Sequence, residues 1–157
     1  MIETNDQVFA MLKSFFEENV PYAKHSGIEL LEIADGRGVA QLPDIKETQN
    51  HMGSQHAGAL FTLAEAASGS AMVSLFADKV LMVRAAITEA TIKYTKAARG
   101  VVRAVGLLQR PGSEILDEFN REGRVNFRVD VTLTDSKDRE IGEMLVTWSI
   151  SLNTPTG

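Results

Sequence analysis

Cysteine is absent from the chain. That excludes disulfides, thiolate nucleophiles and cysteine-rich zinc sites, and it fits a reducing, cytoplasmic setting. No apolar run approaches the ~20 residues of a membrane helix, because Glu65 interrupts the best candidate. The N-terminal stretch lacks a basic segment followed by an apolar one, so no secretory signal is expected. Positive charge is in deficit: 16 Lys and Arg face 21 Asp and Glu, a net charge of −5. Binding of nucleic acid through a general electrostatic field is therefore not expected. There is no Gly-x-Ser-x-Gly, which argues against a serine hydrolase, and no glycine-rich phosphate loop of either common kind. His51, His56 and Glu65 offer ligand types without a recognised metal spacing. No metal and no cofactor are expected.

What is present suits one globular domain spanning residues 1–157, with 44% apolar and 24% charged residues. Val8, Met11, Leu12, Phe15 and Phe16 recur at helical spacing and predict an amphipathic helix over 5–19. Thr4 with Gln7 fits a capping box, with Asn5 or Asp6 as alternatives, and Pro21 ends the helix. Strands are expected over 28–34 and 38–43, joined by Asp35-Gly36-Arg37-Gly38. A loop over 44–55 leads into a long helix over 56–76. Four strands follow, at 83–97, 101–110, 125–133 and 144–152, with a polar, irregular or briefly helical stretch over 112–123. On the first of them Ile87, Glu89, Thr91 and Lys93 are expected opposite Thr88, Ala90, Ile92 and Tyr94. The long helix is rich in Ala, Ser and Gly, which lets its backbone lie close to a sheet. A sheet curling around one helix is the natural packing for this order.

The most informative stretch runs from Asn50 to Gly69. It holds His51, Gln55 and His56, then opens the long helix with Ala57 and Gly58. Glu65 is the only charged residue between Glu47 and Asp78. An acid alone in an apolar helix costs free energy unless it is paired or exposed to water, and such groups cluster at functional sites. Other readings stand beside this one: His56 caps the helix, Asn50 holds the loop through side-chain-to-backbone bonds, and His25 is structural.

Asn50, then His56-Ala57-Gly58, then Glu65 nine residues after His56, resembles the central motif of the hotdog-fold acyl-CoA thioesterases. The nearest branch is the bacterial phenylacetyl-CoA and hydroxybenzoyl-CoA thioesterase type with its uncharacterised relatives. Tyr94-Thr95-Lys96-Ala97-Ala98-Arg99-Gly100 resembles the end of the next strand in such proteins, with Lys96 in place of Pro. Ala57 stands where the family has the first Gly of a pair. The resemblance implies an α+β hotdog fold and hydrolysis of an acyl-CoA or acyl-carrier thioester. Glu65 would act as general base or nucleophile, and Asn50 and His56 would orient water or bind the thioester oxygen. The N–H groups of Ala57 and Gly58, at a helix start, would hold the developing oxyanion. Thr88 is a further candidate beside the acid, on the strand face of Ala86.

Ala57 and Glu65 lie eight residues apart, about 12 Å along a helix. Both cannot reach one carbon in a single chain, so the mechanism requires a homodimer with two shared sites, with a dimer of dimers as an extension. Lys93, Lys96, Arg99 and Arg103 are close enough in sequence to form a phosphate-binding patch, or else are solvated turns and strand edges. Met11, Phe15, Phe61, Met72, Leu75, Phe76 and Met82 are candidates for an apolar tunnel. Two alternatives remain. One is a hotdog dehydratase or hydratase using His51 and Glu65, fourteen residues apart; the other is a non-catalytic acyl-CoA or fatty-acid binding protein.

Overall fold

The structure, a computed structural model, describes the backbone of residues 2–153 and the side chains of residues 6–153. Helix α1 (Ile2–Asn19) and the short α2 (Pro21–His25) precede a hairpin of β1 (Glu29–Ala34) and β2 (Arg37–Leu42). The long helix α3 (Ala57–Leu75) follows, then β3 (Val83–Tyr94), β4 (Val102–Leu108), α4 (Gly112–Glu122), β5 (Arg124–Asp135) and β6 (Glu140–Leu152). The expected cap at Thr4 lies outside the described side chains. Pro21 opens α2 at its first turn, where the missing N–H costs nothing.

The six strands form one antiparallel sheet in the order β1-β2-β4-β5-β6-β3. It curves around α3, which packs against β1, β2, β4, β5 and β6. This is the hotdog architecture implied by the motif. Close approach is set by small residues on both sides. A Cβ on Gly38 of β2 would lie 2.3 Å from the Ala67 carbonyl oxygen, and one on Gly106 of β4 2.8 Å from the same atom. Gly38 is thus a packing residue within β2. The hairpin turn is the two-residue Asp35-Gly36, with φ of 50° and 77°, the left-handed pair favoured between twisted strands. α3 has 19 residues and a mean hydropathy of 1.2, enough to cross a membrane by length and composition despite Glu65. Here the strands enclose it and it serves as the core helix.

Of the two readings left open for 112–123 the helical one holds, and one expectation, on β3, is corrected. Residues 112–122 form a regular helix, α4, which buries Ile115 and Phe119. Strict alternation on β3 fails at a bulge between Ile87 and Glu89. Ile87 pairs with the inward Trp148, while Glu89, Thr91 and Lys93 pair with the outward Thr147, Leu145 and Glu143. The extra residue, Thr88, is exposed.

Candidate active site

The loop before α3 is held by side-chain-to-backbone bonds. Asn50 Oδ1 accepts from the Met52 and Ser54 N–H groups at 2.9 and 3.1 Å, and Asn50 Nδ2 donates to Ser54 Oγ at 2.9 Å. Arg99 clamps the same turn from outside, donating to the Gly53 and Met52 carbonyls. Gln55 is buried and ties the loop to the chain after β3, donating through Nε2 to the Pro43 and Gly100 carbonyls. His51 lies exposed on the turn.

At the helix start, His56 is the N-cap in extended backbone, and its Nδ1 accepts the Gly58 N–H at 2.9 Å. That acceptor role puts the neutral ring's proton on Nε2. The Tyr94 hydroxyl, from the end of β3, donates to the Ala57 carbonyl at 3.0 Å. The Ala57–Gly58 peptide is therefore held at both its N–H and its C=O. Only one of the two expected oxyanion donors is open: the Gly58 N–H is committed to His56, whereas the Ala57 N–H donates to no protein group among the described residues. Asn50, Ala57, Tyr94 and Lys96 line one shallow groove. His56 and Gly58 line a different one, with Tyr22, His25 and Glu47.

Glu65 belongs to neither groove. It lies on the wall of an apolar cavity of about 310 Å³ bounded by α1, α3, β1, the start of β3 and Trp148. It is the only charged residue lining that cavity among the described residues. Its carboxylate has no hydrogen-bond or ion-pair partner among them, and burial pushes its pKa above the ordinary value of 4.5. The neighbouring Ser68 Oγ donates to the Glu65 backbone carbonyl and accepts from Trp148 Nε1, which ties the helix turn beneath the acid to β6. The acid in its apolar cavity and the open amide in its groove are thus separate features of the chain.

The remaining candidates scatter. Thr88 does not line the Glu65 cavity; Ala85 does, and Ala86 pairs with Ser149 on the outer face. Lys93 lies on the outer face 3.6 Å from Glu143, and Arg103 is exposed opposite Thr134, so the four basic residues form no single patch. Lys96 and Arg99 alone flank the Ala57 groove and its loop. Of the apolar candidates, Phe15, Met72 and Phe76 line the cavity and Met11, Phe61, Leu75 and Met82 do not. Tyr94 and Gln55 hold the helix start and its loop in place, a role that the sequence reading gave to neither. The Tyr94-Thr95-Lys96 run flagged the segment, yet a hydroxyl bonded to a backbone carbonyl 37 residues away leaves no trace in spacing.

A family model described as "Domain of unknown function (DUF4442)" matches residues 9–150. No curated protein sequence matches the chain. Among solved structures, the chain is similar to PA5026 of Pseudomonas aeruginosa, a protein of unknown function called a probable thioesterase. The TM-score is 0.80 at 23% identity over 92% of this chain and 96% of that one. It is similar to the PaaI protein from the phenylacetic acid degradation operon of E. coli, with TM-score 0.71 and 16% identity over 96% of both chains. A hypothetical thioesterase of Streptococcus pneumoniae, solved with coenzyme A, gives TM-score 0.62 and 22% identity over 81% of this chain and 88% of that one. These likenesses establish a shared fold.

Proposed function

The chain belongs to the DUF4442 family and has the hotdog fold of proteins named as thioesterases, and from that premise we propose that it hydrolyses acyl-CoA thioesters as a homodimer with two shared sites. One observation carries the reading: an unpartnered, desolvated carboxylate at Glu65 and an open amide at Ala57 occupy separate half-sites on one helix. They are about 12 Å apart along the axis, so neither completes a site alone.

β3 supplies the means of joining them. It is a 12-residue edge strand, hydrogen-bonded only to β6, and a long open edge invites pairing with a second copy. A two-fold axis beside β3 brings Glu65 of one protomer toward Ala57 of the other. The thioester carbonyl oxygen then accepts from the Ala57 N–H, aided by the positive end of α3. Glu65 takes a proton from water as it attacks the carbonyl carbon, or attacks directly to form an anhydride that water opens. With Glu65 as base, the tetrahedral adduct collapses, the carbon–sulfur bond breaks and the proton held by Glu65 passes to the leaving thiolate; with Glu65 as nucleophile, the thiolate leaves and takes a proton from solvent as the anhydride forms, and water then opens the anhydride to the free acid and Glu65. Lys96 and Arg99 border the groove that would admit the carrier, and their charge suits its phosphates. The coenzyme A bound to the Streptococcus pneumoniae protein supports this carrier. A panel of acyl-CoAs followed with a thiol reagent tests the proposal, since the protein contributes no thiol of its own. Turnover that falls about a thousandfold in Glu65→Gln supports it. No release of CoA, or full activity in a folded Glu65→Gln, overturns it.

A further inference from the structure

The cavity that holds Glu65 has a direction and an end. Glu65, Gly69, Met72, Val73 and Phe76 all line it; the first four, at spacings of four, seven and eight residues, lie on one stripe of α3, and Phe76 is the C-cap just past its end. The stripe begins at the acid. At its middle stands Gly69, where an added Cβ would meet the Trp148 ring at an ordinary 3.5 Å. Beyond its far end is Phe76, fully buried, with Phe119 of α4 edge-on at 5.2 Å and Phe127 of β5 stacked at 6.5 Å. Two rings thus brace the wall from behind. Leu12 and Phe16 of α1 lie across the stripe.

Eleven residues of helix span about 16 Å. Van der Waals contact at either end removes about 3.5 Å each, and an extended chain advances about 1.2 Å per bond, so about eight carbons fit. Resting on the thioesterase reading above, we infer that this stripe holds the acyl group, that the preferred substrates carry straight medium-length chains, and that Phe76 is the stop that sets their length. No cation lines the cavity among the described residues, so its walls suit a plain hydrocarbon.

The test is kcat/KM across saturated acyl-CoAs from butyryl to hexadecanoyl. The wild type is expected to peak at octanoyl to decanoyl. Phe76→Ala moves the peak to longer chains; Phe76→Leu, which disturbs the core less, moves it in the same direction by a smaller step. Gly69→Leu fills the middle of the stripe and lowers octanoyl turnover about tenfold more than butyryl turnover. A flat profile, or a peak unmoved by both Phe76 variants, overturns the inference and leaves thioester hydrolysis standing. If no acyl-CoA is hydrolysed, the proposed function falls and binding decides the cavity by itself. A rise in Tm with decanoyl-CoA but not with CoA, lost in Gly69→Leu, supports it; equal shifts with both ligands overturn it.

Discussion

At Glu65 a half-buried acid bears a desolvation cost that the proposed chemistry would draw on. Desolvation raises its pKa, so the acid limb of kcat/KM is expected above the range of an ordinary carboxylate, with activity rising as the group ionises. The same shift has a sign for folding. A carboxyl whose folded pKa exceeds its unfolded value favours folding at low pH and loses that contribution as pH rises through the folded value. Glu65→Gln is therefore expected to raise Tm at neutral pH, with the gain shrinking as pH falls toward 4.5. Thermal melts at several pH values check this; a variant less stable at neutral pH contradicts it. Tyr94→Phe removes one exposed hydrogen bond to the Ala57 carbonyl, worth about 1 kcal/mol. Because that bond fixes the first peptide of α3, kcat is expected to fall while the fold persists. Glu65 was legible in the sequence because its charge stands alone over a long apolar stretch. The commitment of Gly58 to His56 was not, because a histidine cap and a histidine ligand look alike in one dimension.

Among the elements, the contact between sheet and helix is the most demanding. Gly38→Ala puts a methyl against the Ala67 carbonyl oxygen and is expected to destabilise the fold by about 1–3 kcal/mol, read as a lower urea midpoint. The β5–β6 turn depends on Asp135, whose carboxylate accepts from the side chain of Arg139 and from the backbone N–H groups of Lys137 and Arg139. The Arg139 bond leads in holding its pKa below the usual 3.8, with the backbone bonds adding to it. The stability this confers is present above the unfolded pKa and is lost as pH falls through the folded one. Asp135→Asn is expected to lower Tm at neutral pH by a margin that narrows in acid. Long periodic strands such as β5 were readable because each second residue enters the core. The bulge at Thr88 was not: one extra residue reverses the facing of everything before it while the composition stays strand-like. For α4 the sequence left an irregular and a briefly helical reading open, because Pro111, Gly112 and the polar majority of the stretch obscure the Ile115-Leu116-Phe119 spacing that buries Ile115 and Phe119.

At the scale of the whole molecule, the proposal requires two chains. Sedimentation is expected to give a dimer or a multiple of one, and a lysine introduced at Thr91, an exposed position on the open strand, is expected to weaken association and activity together. The sharpest test mixes two inactive proteins. Glu65→Gln removes the acid. Ala57→Pro removes the amide hydrogen at the first helical position, where proline is well tolerated, and the extended backbone of His56 already suits a residue before proline. Each homodimer alone is expected to lose at least about a hundredfold in rate. After unfolding and refolding together, half of the dimers are mixed and each holds one intact site, so about a quarter of wild-type activity should return. If the mixture stays as inactive as its parents although mixed dimers form, acid and amide are not shared between subunits, and the proposed active site is wrong.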